Sequence, residues 1–251
     1  MKGLIGIDCG SATCKGVLMG ENDILSHSIK PTGWSPRSTA QEILDELIQK
    51  AGVEREEVRI TATGYGRVGI PFADKVVTEI TCHARGAQYI MPGVRTVIDI
   101  GGQDSKVISV KDGKVSAFQM NDKCAAGTGR FVEMSAHRMG LDMSEFAEYL
   151  EAGESCALSS MCAVFADSEI ISLLAAGKSR EEIAGGVMNS VVSRASSLAA
   201  KIDICAPVLL TGGLSQIKGL RDILEKQLGC EVKASEWSRY AGAIGAALLS
   251  A

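Results

Sequence analysis

The sequence predicts an α/β fold of two lobes built by internal duplication. Three observations carry that prediction. The segments GLIGIDCG (3–10) and TVIDIGGQD (96–104) are each a short apolar run that ends in Asp-x-Gly. A run of this length bounded by glycine reads as a buried strand entering a turn. Shifting the first segment by 91 residues places Ile7 on Ile98, Asp8 on Asp99, Gly10 on Gly101 and Lys15 on Lys106, and aligns the turns GEND (20–23) and KDGK (111–114). A shared plan of this length marks a duplication. Finally, no Pro- or Ser-rich linker separates the halves, so the lobes are expected to pack with a cleft between them.

Along the chain, CKGVLM (14–19) and ILSHSIK (24–30) add two strands around the 20–23 turn. Ser35-Pro36 opens a helix over 36–51, with Ile43, Leu44, Leu47 and Ile48 at helical spacing and Gly52 as its C-cap. VRITATGYG (58–66) is a strand with a glycine turn, and 76–90 reads as a helix. Residues 95–120 then repeat strand, turn, strand, hairpin turn and strand. Helices are expected at 128–139, 143–152, 163–177 and 180–203. APVLLTGGLS (206–215) is a further buried strand into a Gly-Gly turn, followed by a helix over 216–228, a short strand over 230–234 and a small-residue helix over 238–250. The first lobe is expected over 1–93, with the C-terminal helix 238–251 returning to it, and the second over 94–251.

The 251 residues are 46% hydrophobic and 22% charged, ordinary for a soluble globular protein. The net charge of −4 and the lack of a basic stripe argue against nucleic acid as a partner. No apolar run approaches the ~18 residues that span a bilayer, and the apolar start before Asp8 is too short for a signal-peptide core. Both point to a cytoplasmic protein without membrane contact. Eight cysteines are too sparse for a disulfide scaffold. Each reads as a core filler, a nucleophile or a metal ligand.

Three turns share one logic. DCGSAT (8–13), DIGGQD (99–104) and TGGLS (211–215) each follow a buried strand. Glycine lets the backbone approach a ligand, and successive N–H groups form an anion-binding concavity. Asp8 and Asp99 would repel a phosphate unless a divalent cation, held through water, lies between. Ser11, Thr13 and Lys15 suit the terminal phosphates of a nucleotide, and the later TGG turn suits its adenosine end. Any one turn could be a tight strand exit; three of them, two on a repeated unit, read as a nucleotide site. The chain lacks both GxxxxGK[ST] and a GxGxxG that opens a helix.

The duplicated Asp-x-Gly turns and the late TGG turn resemble the actin, hexokinase and sugar-kinase superfamily, whose ATPase fold duplicates a ribonuclease H-like βββαβα unit. Within it, GIDCGSATCKGV, ATGYGR, VIDIGGQDSKVI, NDKCAAGTGRF, CAVFADSEIISL and LLTGGLSQIKGL resemble the ATP-dependent activators of 2-hydroxyacyl-CoA dehydratases, iron–sulfur ATPases related to the ATPase subunits of benzoyl-CoA reductase. Nearly the whole chain is covered, with the motifs in the same order. Two positions depart: Asp167 stands where glutamate is usual, and Cys9 where a small apolar residue is common. The resemblance implies ATP or ADP with Mg2+ positioned through water by Asp8 and Asp99. Ser11, Ala12, Thr13, Cys14 and Lys15 of the first turn, and Gly101, Gly102 and Gln103 of the second, would contact nucleotide. Gly127, Thr128, Gly212, Gly213 and Gln216 would complete the site. Gln103 or Asp104 would orient the attacking water, with Asp8 a rival for the base.

NDKCAAGTGR (121–130) and SSMCAVFADSEI (159–170) each put a lone cysteine at the start of helix-forming sequence. A helix N-terminus carries roughly +0.5 charge and steadies a thiolate. A 4Fe–4S cluster normally takes four cysteine thiolates. Cys124 and Cys162 supply two, and two chains on a twofold axis supply four; the other reading is a pair of small core residues. The resemblance implies the cluster, shared across a homodimer, with a dehydratase-type iron–sulfur enzyme as electron acceptor and ferredoxin or flavodoxin as donor. Met161 and Phe131 read as shields for it, and Cys156 as the best spare ligand. Cys9, Cys14, Cys82, Cys205 and Cys230 read as core fillers. His27, His83 and His137 show no metal-ligand spacing and read as surface or structural. Tyr65 and Arg67 fit a cleft, an interface or a plain turn. Two rival functions remain open: a small-molecule kinase of the same superfamily, and a nucleotide-gated scaffold without turnover.

Overall fold

Short β-rich runs punctuated by glycine condense into two five-stranded sheets. The computed structural model describes residues 3–21, 23–150, 155–159 and 162–250. Strands β1 (Gly3–Cys9), β2 (Thr13–Met19), β3 (Ile24–Pro31), β4 (Val58–Thr63) and β5 (Lys75–Val76) form the first sheet, in the order β3-β2-β1-β4-β5. Strands β6 (Thr96–Ile100), β7 (Ser105–Lys111), β8 (Lys114–Asn121), β9 (Val208–Gly212) and β10 (Val232–Lys233) form the second, in the order β8-β7-β6-β9-β10. In both, the first three strands are antiparallel and the last two join in parallel. The duplication therefore extends to topology and to register: Asp8 pairs with Lys15 on β1–β2 as Asp99 pairs with Lys106 on β6–β7.

The helices are α1 (Pro36–Ala51), α2 (Glu79–Ile90), α3 (Gly129–Arg138), α4 (Met143–Leu150), α5 (Ala163–Ala175), α6 (Arg180–Ala199), α7 (Lys218–Leu228) and α8 (Ala241–Leu248). Helix α1 begins at its Ser35 cap, whose hydroxyl accepts from the Ser38 N–H, and ends at Gly52 in the left-handed region (φ 63°). Helices α7 and α8 start later than their sequence suggests because single 3-10 turns over Gly213–Gln216 and Glu236–Tyr240 precede them. Strand β5 is a two-residue exposed edge with no alternation to announce it. Asn22 in the expected 20–23 turn and the last two residues of the expected 143–152 helix lie outside the described residues.

Sheet faces explain the layering. Ile43, Leu44 and Leu47 of α1 cover Ile5, Ile7, Leu18 and Ile60 on one face of the first sheet. Ala243, Ile244 and Ala247 of α8 cover Val17 and Met19 on the other. Helix α2 covers Val97, Ile108, Val110 and Leu209 of the second sheet with Ala84 and Ala87. Each half thus lends its closing helix to the layer between the sheets, where α2 crosses α8. Reciprocal glycines allow that crossing: a β-carbon at Gly86 would fall on the Ala241 carbonyl, and one at Gly245 on the Cys82 carbonyl. On the outer face of the second sheet, α3 to α7 enclose a larger core around Phe131, Phe146, Ile170, Val187, Val191 and Leu220. No described helix is long and apolar enough to cross a membrane.

Candidate functional site

Alternation along β1 turns Ile5, Ile7 and Cys9 toward α1 and leaves Asp8 on the opposite face, beside Gly242 of α8 and His83 of α2. Asp8 is buried. Its Oδ2 lies 3.8 Å from Lys15 Nζ, and its Oδ1 has no hydrogen-bond partner among the described residues. Burial pushes its carboxyl pKa up, with the Lys15 ammonium opposing. The first turn is braced from the side: the Thr32 N–H donates to Ala12 O (3.0 Å) and the Thr32 hydroxyl to Gly10 O (2.7 Å). Ala12 is exposed, and Ser11, Thr13 and Lys15 are half-buried.

Asp99, at the equivalent place in the second half, is far better held. Thr211 Oγ1 donates to its Oδ1 (2.8 Å), Lys106 Nζ to its Oδ2 (3.2 Å), and His83 Nδ1 lies 3.4 Å away. Burial alone would raise its pKa, but His83 and Lys106 reverse that and hold it well below the usual carboxylate range. Lys106 is 1% exposed and also meets Glu79 Oε1 (2.9 Å) and Asp104 Oδ1 (2.8 Å). Burial disfavours its charge; Asp99, Glu79 and Asp104 overcome that and push its pKa up. The two repeat-related lysines therefore differ: three carboxylates neutralise Lys106, while Lys15 has Asp8 alone among the described residues and lies beside Gly10 of the first turn.

The two Asp-x-Gly turns confront each other. A β-carbon at Gly102 would stand 2.6 Å from Ala12 Cβ and 3.2 Å from Ser11 Oγ. Gln103 is exposed, and Gly101 is half-buried. Gly212 ends β9 opposite Ile100, while Gly213 and Gln216 are exposed beyond it. Gln216 Nε2 donates to Ser235 O (2.8 Å), tying the late turn to the approach to α8.

The second turn is also tied to the cysteine loop. The Gly129 N–H donates to Gly101 O (2.8 Å) and the Arg130 N–H to Gly102 O (2.9 Å), so the first N–H groups of α3 grip the second turn. Thr128, the α3 N-cap, donates through its hydroxyl to Ala125 O, and Gly127 takes a φ of 131° over the Arg194 side chain. This placement corrects one expectation. Cys124 does not start a helix but lies in the loop before Thr128, because those N–H groups already serve the second turn. Cys162 is the N-cap residue of α5 and exposed; Cys124 and Cys156 are half-buried. Val164 and Phe165, just beyond Cys162, are each 70% exposed. Arg138 of α3 donates twice to Asp167 of α5 (both 2.6 Å). Phe131 sits in the core of the second lobe, and Met161 lies outside the described residues.

With this geometry in hand, residues 5–250 match the BadF/BadG/BcrA/BcrD ATPase family. The chain belongs to that family. It is 44% identical to the (R)-2-hydroxyglutaryl-CoA dehydratase activating ATPase of Acidaminococcus fermentans, over 97% of this chain and 95% of that protein. It superposes on the solved component A of (R)-2-hydroxyglutaryl-CoA dehydratase from the same organism with a TM-score of 0.95 at 42% identity, covering 99% and 97% of the two chains. The solved activator of 2-hydroxyisocaproyl-CoA dehydratase from Clostridium difficile, with bound ADPNP, matches with a TM-score of 0.94 at 37% identity, covering 99% and 94%. The fold is the two-lobed actin-like ATPase fold.

Within the BadF/BadG/BcrA/BcrD ATPase, Glu79, His83, Lys106 and Thr211 surround Asp99, although sequence reasoning gave none of them a functional role. Lys106 was visible as the repeat partner of Lys15, and Glu79 and His83 as an i, i+4 pair. Their convergence on Asp99 was not, since they come from α2, β7 and β9. Glu79, His83 and Asp99 form the one metal-competent group among the described residues, but Glu79 and Asp99 already share the Lys106 ammonium. The orphaned Asp8 Oδ1 better fits a water-bound Mg2+. Cys124 and Cys162 offer soft thiol donors suited to iron–sulfur ligation.

Proposed function

We propose that this chain is an ATP-hydrolysing iron–sulfur protein that delivers a low-potential electron to a dehydratase-type iron–sulfur enzyme. Relatives that carry the names of dehydratase activators support the partner. The observation that carries the coupling is the pair of hydrogen bonds from Gly129 and Arg130 to the carbonyls of Gly101 and Gly102. A change at the second turn must move α3 and the loop that bears Cys124.

In this reading the N–H groups at the tip of the first turn, 11–12, and Lys15 bind the phosphates, the Gly10 N–H being donated to Thr13 O. Asp8, with Asp99 beside it, would hold Mg2+ through water, and the ion would supply charge neutralisation there. Asp104 is committed to Lys106, which favours Gln103 for orienting the attacking water. Asp8, whose Oδ1 has no hydrogen-bond partner among the described residues and whose pKa is raised, takes the proton. Gly213 and Gln216 meet the adenosine end. Gly127 and Thr128 rearrange with the second turn, and nucleotide shifts the equilibrium by binding one arrangement better. Cys124 and Cys162 of two copies would hold a 4Fe–4S cluster, which would supply one-electron chemistry. The exposed Val164 and Phe165 fit burial in that homodimer seam. Ferredoxin or flavodoxin restores the electron.

Anaerobic purification tests this directly. The expected product is a brown dimer with about four irons and four sulfides that hydrolyses ATP. A colourless protein that phosphorylates an alcohol would instead establish a kinase.

A further inference from the structure

Cys9 and Cys14 stand directly opposite each other on β1 and β2, at the neck of the first turn. They are the one cysteine pair in cross-strand register among the described residues. Antiparallel partners alternate between hydrogen-bonded pairs and closer pairs with no bonds between them, in which the Cα atoms stand about 4.5 Å apart. The Cys9 carbonyl accepts from the Gly66 N–H (2.8 Å), on the side of β1 away from β2. Its pairing with Cys14 is therefore of the closer kind. That separation falls within the Cα range of disulfides, roughly 4.4–6.8 Å. Both side chains point into the α1 face.

We propose that Cys9 and Cys14 form a reversible disulfide with hydrogen peroxide as oxidant, and that closing it withdraws the first turn from nucleotide. The second half of this statement rests on the nucleotide reading of that turn. One sulfur attacks a peroxide oxygen, giving a sulfenic acid and water. The other thiol then attacks the sulfenic sulfur and expels a second water. Two thiols and one peroxide become one disulfide and two waters; each sulfur loses one electron and the peroxide gains two. Both cysteines are buried, and Ala12, at the tip of the turn between them, is exposed. Exchange with a dithiol reverses the bond.

The consequence follows from what the neck supports. An S–S bond of about 2.05 Å is far shorter than any contact of unbonded sulfurs. Cys9 Sγ must leave its seat against Gly66, where a β-carbon would lie 2.7 Å from it, and its contact with Pro36 O at 3.7 Å. Disulfides most often set their Cα atoms about 5.5–6 Å apart, so the strand ends spread, and the adjoining pair Asp8–Lys15 and the turn between the cysteines tilt with them. The phosphate-facing N–H groups and the least neutralised lysine of the site move together.

The test uses the full, anaerobically purified chain. After peroxide and alkylation, the tryptic peptide spanning 3–15 is expected with both cysteines unalkylated and two hydrogens lighter, and dithiothreitol is expected to restore it. Affinity for ADPNP, measured by calorimetry, is expected to fall about tenfold or more and to recover on reduction. Cys9→Ser keeps a donor for Pro36 O and every other thiol, so peroxide damage at Cys124 or Cys162 appears in it equally. It is expected to bind ADPNP like the parent chain and to keep that affinity after peroxide. An unlinked peptide, a linked peptide with unchanged affinity, or a Cys9→Ser chain as sensitive as the parent would each overturn the proposal. A reduced chain that fails to bind ADPNP would overturn the nucleotide reading and the switch with it. Peptide mapping would still decide the linkage separately.

Discussion

Asp8 and Asp99 occupy repeat-equivalent positions, yet their surroundings favour opposite protonation states. Desolvation dominates at Asp8, where Lys15 stands 3.8 Å away; His83, Lys106 and Thr211 outweigh it at Asp99. The folded-state pKa of Asp8 lies above its unfolded value of 3.8, so its contribution to stability is present below that pH and is lost as pH rises through the folded value. Asp8→Asn is therefore expected to raise the denaturant midpoint at pH 7, with the gain vanishing in acid. Hydrolysis is expected to fall by about 100-fold or more. Asp99 behaves inversely: its contribution is present above pH 3.8 and is lost as pH falls through its lower folded value. Lys106→Met would leave Glu79, Asp99 and Asp104 without their shared cation. Breaking a buried pair in this way costs about 3–5 kcal/mol, to be read as a lower urea midpoint. Sequence could name Asp8, Asp99 and Lys106 through the repeat. It could not reveal that His83, read as surface or structural, lies between them.

At the scale of elements, the crossing of α2 and α8 and the clamp of α3 on α5 carry the architecture. Gly245→Val would drive a branched side chain into the Cys82 carbonyl. Overpacking of this kind costs about 1–3 kcal/mol, and more against backbone, which thermal unfolding would show. Arg138→Ala removes the bidentate contact with Asp167, which is partly exposed at both partners. Its stability cost is expected below about 1 kcal/mol. The variant is nevertheless expected to lose iron to a chelator faster, since the clamp joins the helices that follow the two cysteines. Most strands and helices could be read from period and glycine punctuation alone. The starts of α7 and α8 could not, because a 3-10 turn and the first turn of an α-helix share the same local residues.

At the scale of the molecule, the second turn and the cysteine loop are coupled through backbone rather than side chains. Gly129 and Arg130 bind the second turn whatever their side chains, so replacing a cysteine need not disturb the nucleotide site. Cys162→Ser is expected to abolish iron binding while ADPNP affinity stays within about twofold. Retention of full iron would remove Cys162 from the ligand set. The proposed dimer is expected to weaken in the same variant, which sedimentation would reveal as a shift toward monomer.

By itself, the sequence determined the duplicated strand–turn units, the three glycine turns and the place of Cys162 at the start of a helix. Those features are written in local alternation, glycine spacing and residue chemistry. Only the tertiary structure decided that α2 and α8 pack between the sheets, that three acids converge on Lys106, and that Cys124 sits in a loop instead of at a helix start. Each of these depends on groups far apart in the chain, brought together by burial of apolar faces that no short window of sequence contains.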